Sequence, residues 1–157
     1  MKVFISGSIS IKSLPQTAIQ KIDNIMAKDL TVLIGDANGV DRIVQEYLYK
    51  NHYQNVIVYY AGQNIRNNIG KWTTENILAL GLEGRSKFTL KDIRMAEDSD
   101  FGLMIWDGIS KGTKNNINKM LNLGKHFYVI KKNEIITDKE FQPKQEKKIL
   151  QNELFKL

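Results

Sequence analysis

Four short segments of this 157-residue chain group residue types that hold anions or sugars. The first, Gly7-Ser8-Ile9-Ser10, sets a glycine beside two hydroxyls. Glycine lets a ligand approach the backbone closely, and hydroxyls can join backbone N–H groups on a phosphate. The second, Gly35-Asp36-Ala37-Asn38-Gly39-Val40-Asp41, brackets a turn with two glycines just ahead of a helical pattern. A helix N-terminus offers unpaired N–H groups and partial positive charge, which suit an anion. Asp36 and Asp41 would repel a phosphate set directly against them but suit ribose hydroxyls. Asp41, in the first helical turn, equally suits the helix dipole itself. The third, Asp107-Gly108-Ile109-Ser110-Lys111-Gly112-Thr113, combines two glycines, two hydroxyls and a lysine at another helix start. It is the best phosphate cradle in the chain. The fourth, Ile65-Arg66-Asn67-Asn68, places a lone arginine among amides, as an anion clamp or a solvated loop charge. Trp72, just beyond, either stacks on a base or packs inside.

Other chemistries are excluded by what is missing. The third segment also fits G-x-S-x-G, the pattern of a nucleophile elbow, but a hydrolase triad needs an acid and then a histidine after the serine. No acid lies between Ser110 and His126, so Ser110 is not read as a nucleophile. The Gly-Lys-Ser/Thr ending of a Walker loop is absent as well. Without cysteine there are no disulfides, thiolate metal sites or cysteine nucleophiles. The two histidines, His52 and His126, are not at metal-ligand spacing, and no metal or resident cofactor is expected. Any catalytic group must be a carboxylate, hydroxyl, amide or backbone group, and the sequence does not single one out.

The net charge of +6 invites a nucleic-acid reading. Yet the cations are 19 Lys and 4 Arg, and arginine is the better bidentate reader of phosphates and bases. Lys, Asn and Ile supply about a third of the chain, so the charge reads as composition bias rather than a designed surface. A basic tail (Lys144, Lys147, Lys148) keeps single-stranded nucleic acid open as an alternative partner. No apolar run approaches the ~18 residues of a membrane span. Val3–Ile5 is too short for the apolar core of a signal peptide, so a cytoplasmic protein is expected.

The elements that must position these loops alternate between short apolar strands and helical periodicity. Strands are expected at Val3–Ser6, Thr31–Ile34, Val56–Tyr60, Phe101–Trp106 and His126–Lys131. Helices are expected over Pro15–Lys28, Val40–Lys50 and Thr113–Leu123, the last ended by Gly124. A further helix is read around Thr73–Leu80, and another from a capping box at Thr89-Leu90-Lys91-Asp92 through Glu97. This pattern predicts an α/β fold: a Rossmann-like, doubly wound parallel sheet of about five strands with helices on both faces. Residues 1–131 form that domain. Residues 132–157 form an extension of the same domain, with Pro143 and an amphipathic stretch (Ile149, Leu150, Leu154, Phe155) suggesting a C-terminal helix. In such sheets ligands bind beyond the carboxyl ends of the strands, where strand order reverses.

These loops in this order resemble the SLOG superfamily of Rossmann-like nucleotide-binding domains, and its YspA-like branch most closely. Gly35, Ala37, Gly39 and Asp41 match that family's Gly-x-Ala-x-Gly-x-Asp after strand two. Ala61-Gly62 with Arg66-Asn67 resembles its third element, and Ser110, Gly112 and Thr113 match its Ser-x-Gly-Thr. The first element departs, with Ile9 where the family pattern has arginine. The resemblance spans roughly residues 2–131 and implies binding or sensing of a nucleotide or derivative, such as an NAD- or ADP-ribose-like molecule. On that footing the ligand contacts are Gly7, Ser8, Gly35, Asp36, Ala37, Gly39, Asp41, Arg66, Asn67, Asp107, Gly108, Ser110, Lys111, Gly112, Thr113 and Asn116. It also implies a homo-oligomer, dimer or tetramer. The related LOG-type phosphoribohydrolases carry Gly-Thr-x-x-Glu where this chain has Gly112-Thr113-Lys114-Asn115-Asn116. An amide cannot act as a carboxylate nucleophile or stabilise an oxocarbenium ion by charge. N-glycosidic hydrolysis, the alternative function, would therefore need a relocated acid, with Asp36, Asp41, Glu75 and Asp107 as candidates.

Overall fold

The computed structural model describes residues 1–77 and 84–141. Seven strands form one sheet: β1 (Lys2–Gly7), β2 (Thr31–Gly35), β3 (Val56–Ala61), β4 (Thr73–Ile77), β5 (Phe101–Trp106), β6 (His126–Lys131) and β7 (Glu134–Thr137). Their spatial order is β4-β3-β2-β1-β5-β6-β7. All pairs are parallel except β6–β7. Four helices complete the described chain: α1 (Gln16–Ala27), α2 (Val40–Lys50), α3 (Arg85–Asp98) and α4 (Lys111–Asn122).

The central strands are apolar because both faces of the sheet are covered. α1 turns Ala18, Ile22 and Ile25 onto one face, and α2 adds Val40, Val44 and Leu48. They meet alternate residues of the strands, including Val3, Ile5, Val32 and Ile34. On the opposite face Met95 and Ala96 of α3 join Ile117 and Met120 of α4 over Phe4, Leu33, Met104 and Phe127. The fold is therefore a doubly wound, Rossmann-like α/β sheet. The chain builds outward from β1 to β4, and α3 returns it to β5 on the other side of β1. Strand order reverses between β1 and β5, which sets a crevice at their carboxyl ends.

Among the described residues there are two strands more than the expected five. Thr73–Ile77, read as the start of a helix, pairs in parallel register with β3 from Ile57↔Thr73 to Ala61↔Ile77. As an edge strand it keeps only Ile77 buried, so no apolar alternation marks it, and adjacent Thr73 and Thr74 favour the strand. The remainder of that expected helix, residues 78–80, lies outside the described residues. β7 folds back on β6 through Lys132-Asn133, with Lys132 at φ +57°. That pair lacks the Asn-Gly or Asp-Gly signature of a two-residue hairpin.

α3 also begins earlier than the expected capping box. Gly84, at φ +59°, precedes it, and Thr89 Oγ1 bonds back to Arg85 O at 2.9 Å from inside the helix. No acid occupies its first turn to mark the true start. The expected C-terminal helix and the Lys144–Lys148 tail lie outside the described residues. Among the described residues no helix is long and apolar enough to cross a membrane.

Candidate functional site

The loops after β1, β2 and β5 meet the first turns of α2 and α4 and the inner face of α3 around a cavity of about 590 Å³. That volume is typical of small-molecule sites, roughly 300–1,000 Å³. Gly7, Ser8, Gly35, Ala37, Asp41, Arg66, Asp107, Ser110, Lys111, Gly112, Thr113 and Asn116 all line it, so the sequence-predicted positions largely converge.

A hydroxyl cluster forms one wall. Ser8 Oγ shares hydrogen bonds of 2.8 Å with Ser110 Oγ and 3.5 Å with Thr113 Oγ1. Ser110 Oγ donates to Thr113 Oγ1 at 3.1 Å, and Asp107 N donates to Ser8 Oγ at 3.0 Å. Ser8 thus ties the β1 loop to the β5 loop. Above this cluster α4 begins with neither a side-chain cap nor an acid in its first turn. Its leading N–H groups remain available to an anion. Gly112 lies in that turn, and a Cβ built on it would meet nothing within 4 Å. No packing constraint requires glycine there; its bareness opens the cavity to the helix end.

Asp107 organises the same loop. Its carboxylate accepts Ser110 N at 2.7 Å, Ile109 N at 2.8 Å and Ser10 Oγ at 2.7 Å. The backbone bond from Ser110 leads in holding its carboxyl well below the ordinary range, against the opposing effect of burial.

The opposite wall is ionic. Arg66 donates to Asp36 through Nη2 at 2.7 Å and through its backbone N at 2.9 Å. Lys91 Nζ stands 3.7 Å from both Asp36 Oδ1 and Asp92 Oδ1. Asn116 Nδ2 donates to Ser6 Oγ at 2.8 Å and reaches Asp92 Oδ2 at 3.4 Å. Asp41 accepts Ala37 N at 3.2 Å. Gly35 makes room for this cluster: a Cβ there would fall 2.5 Å from Asp41 Oδ2 and 2.8 Å from Lys91 Nζ.

The carboxylates are not equivalent. Burial pushes Asp41 up to about 6, although Lys91 pulls the other way. Burial also raises Asp92, against Lys91 and the bond from Asn116. Burial would raise Asp36 too, but the two bonds from Arg66 and the charge of Lys91 together take it below its ordinary value.

Four expected contacts stand behind the walls. Asp36 is buried with both oxygens engaged. Asn67 Nδ2 holds Asp36 O and Asn38 Oδ1, bracing the second loop. Gly39, at φ +78°, lies against Ile9, and Gly108, at φ +85°, lies against Lys131. Trp72 is buried with Nε1 on Tyr53 O at 2.9 Å, so it packs the core rather than stacking on a base. Glu75 is exposed on the edge strand β4 and does not line the cavity. His126, the first residue of β6, pairs with Asp138 at 2.9 Å and does not line the cavity.

Lys91 and Asp92 were hidden in the sequence as the end of an expected capping box, yet α3 turns both to the cavity. Gln45 was equally silent: fully buried, it spans Gly35 O, Asn67 O and Ile69 N at 3.0, 3.1 and 3.0 Å. A polar residue four positions after Asp41 on the buried side of α2 was its only signal. No family model matches this chain, and no curated protein matches it.

Proposed function

We propose that the chain binds a nucleotide or nucleotide derivative in the cavity between β1 and β5, as the resemblance to the SLOG superfamily implies. The observation that carries this reading is the bare first turn of α4. An uncapped helix N-terminus, a glycine facing open space and three interlocked hydroxyls meet in one cavity. Those groups suit a phosphate. Asn116 and Asp41 then stand ready for the sugar hydroxyls, and Arg66 for excess negative charge.

The test is calorimetry with AMP, NAD and ADP-ribose. Gly112→Val branches from a Cβ that meets no neighbour and fills the open space, so it should abolish binding while circular dichroism stays unchanged. Arg66→Ala should also lose binding, with some loss of stability because Arg66 braces Asp36. Unchanged affinity in both variants overturns the reading.

A second reading, N-glycosidic hydrolysis, is favoured by one observation: Asp92, 3.4 Å from Asn116 Nδ2, lines the cavity together with Asp41, and a relocated acid is needed there. Asp92 adds to the candidates Asp36, Asp41, Glu75 and Asp107 that the sequence offers. In such a reaction water adds to C1′, and the electron pair of the C1′–N bond leaves with the base, which takes a proton. A carboxylate would stabilise the oxocarbenium-like transition state and a protonated acid would supply that proton. Incubation with nucleotides and NAD, followed by chromatography for free base, decides it. Release abolished in Asp92→Asn supports it, and no release at high protein concentration excludes it.

A further inference from the structure

Isolated apolar side chains on a surface need no explanation, but two that stand exposed at the mouth of one cavity do. Ile109 is 84% exposed and Ile9 is 64% exposed, and both line the cavity at the carboxyl ends of the adjacent strands β5 and β1.

Neither exposure is the slack of a loose loop. Ile9 sits in a turn closed by Ile11 N to Ser8 O at 3.4 Å, and Val40 N holds the same carbonyl at 3.3 Å. Gly39 comes so close that a Cβ on it would lie 2.4 Å from Ile9 Cα. Ile109 follows Gly108, whose φ of +85° makes the turn, and Asp107 fixes its N–H at 2.8 Å. The two loops are then latched together by Ser10 Oγ to Asp107 Oδ2 and by Ser8 Oγ with Ser110 Oγ. A rigid polar frame presents two branched apolar side chains beside the phosphate-suited end of α4.

We infer that Ile9 and Ile109 form the apolar surface on which a planar heteroaromatic group of the ligand lies while its phosphate meets the first turn of α4. This rests on the nucleotide reading above and narrows it to ligands that carry a base, as opposed to bare sugar phosphates. The competing aromatic surface in the cavity is Phe88, and it is already crowded by cations. Arg66 Cζ lies 4.1 Å from its ring centroid, Lys87 Nζ 5.1 Å and Lys91 Nζ 5.9 Å. Arg66 makes that ring contact while it holds Asp36.

The test compares AMP and ADP-ribose with ribose 5-phosphate by calorimetry, using the full chain, Ile9→Ser, Ile109→Ser and a control, Leu123→Ser, at the opposite end of α4. The parent protein should bind a base-bearing ligand at least about tenfold more tightly than ribose 5-phosphate. Each isoleucine variant should lose about five- to tenfold for the base-bearing ligand, with ribose 5-phosphate and the Leu123→Ser control unaffected. Equal affinity of the parent for ribose 5-phosphate and nucleotides overturns this inference and leaves the phosphate reading standing. Nucleotide affinity unchanged in both isoleucine variants does the same. Binding of none of the three ligands overturns the nucleotide reading itself. Sedimentation of the same proteins covers the other occupant: if Ile109→Ser turns an oligomer into a monomer, the pair is covered by a second copy and the inference fails.

Discussion

Lys91 Nζ lies 3.7 Å from Asp36 Oδ1, and this buried ammonium acts on three carboxylates, Asp41 and Asp92 on the cavity wall and Asp36 behind it. Lys91 is only 3% exposed, and the same ammonium stands 3.7 Å from Asp92 Oδ1. Without it Asp36 keeps Arg66 at 2.7 Å and Asp92 is partly exposed, so the cost is about 1–3 kcal/mol, below the about 3–5 kcal/mol of a fully broken buried pair. Lys91→Met keeps most of the stem and removes the charge. Its urea midpoint at neutral pH should fall by the equivalent of that cost with an unchanged m-value. A loss below about 1 kcal/mol would mean that water entering the cavity already neutralises the wall.

Gly35 is the steric counterpart of that charge. Its backbone is not in the left-handed region, so glycine is required by contact alone. Gly35→Ala should destabilise by about 1–3 kcal/mol, as overpacking of a tight site does. Because the methyl would strike the Lys91 and Asp41 side chains, Gly35→Ala combined with Lys91→Met should cost less than the sum of the two. Strict additivity in denaturation experiments would show that the methyl is accommodated elsewhere.

Much of this site was legible because its parts lie in loops that follow strands. Apolar runs such as Phe101–Trp106 and the 3.6-residue stripes of α1 and α2 mark the elements, and alternation of the two implies a parallel sheet. Once the strands are placed, the glycines and hydroxyls at Gly35–Asp41 and Asp107–Thr113 must gather at one end. The α3 wall was not legible for a specific reason. Lys91 and Asp92 are charged, and charge on a helix ordinarily signals a solvated face. Only the tertiary position of α3, crossing back from β4 to β5, turns them inward. β4 was lost in the same way, since an exposed edge strand carries no apolar alternation, and β7 because Lys132-Asn133 is not a recognised hairpin turn.

Asp107 should behave as the clasp of the two loops. Asp107→Ala frees the N–H groups of Ile109 and Ser110 and the hydroxyl of Ser10 together. A loss of about 1–2 kcal/mol is expected, comparable to removing a helix cap, along with faster amide exchange at residues 109 and 110. Ser10→Ala removes only the bond between the loops and should cost less than half as much. If the two variants are equally destabilised, the value of Asp107 lies in bridging the loops rather than in ordering its own turn.

Asp41 predicts a stability profile opposite to that of an ordinary paired carboxylate. Its pKa rises from 3.8 to about 6 on folding because burial disfavours the charged form. Between those values the folded chain binds more protons than the unfolded chain, so this group makes stability fall as pH rises. Its destabilising contribution is absent below about pH 4 and complete above about pH 6, where it amounts to roughly 2–3 kcal/mol. Asp92 acts in the same direction, whereas Asp36, lowered on folding, contributes stability that is lost as pH falls below its unfolded value. Asp41→Asn can still accept the Ala37 N–H while removing the charge. It should therefore be more stable than the parent at pH 7, no more stable at pH 3.5, and should flatten the fall between about pH 4 and pH 6. Chemical denaturation across that range measures both. A fall that persists undiminished in Asp41→Asn would assign the titration to Asp92 instead, and Asp92→Asn would then remove it.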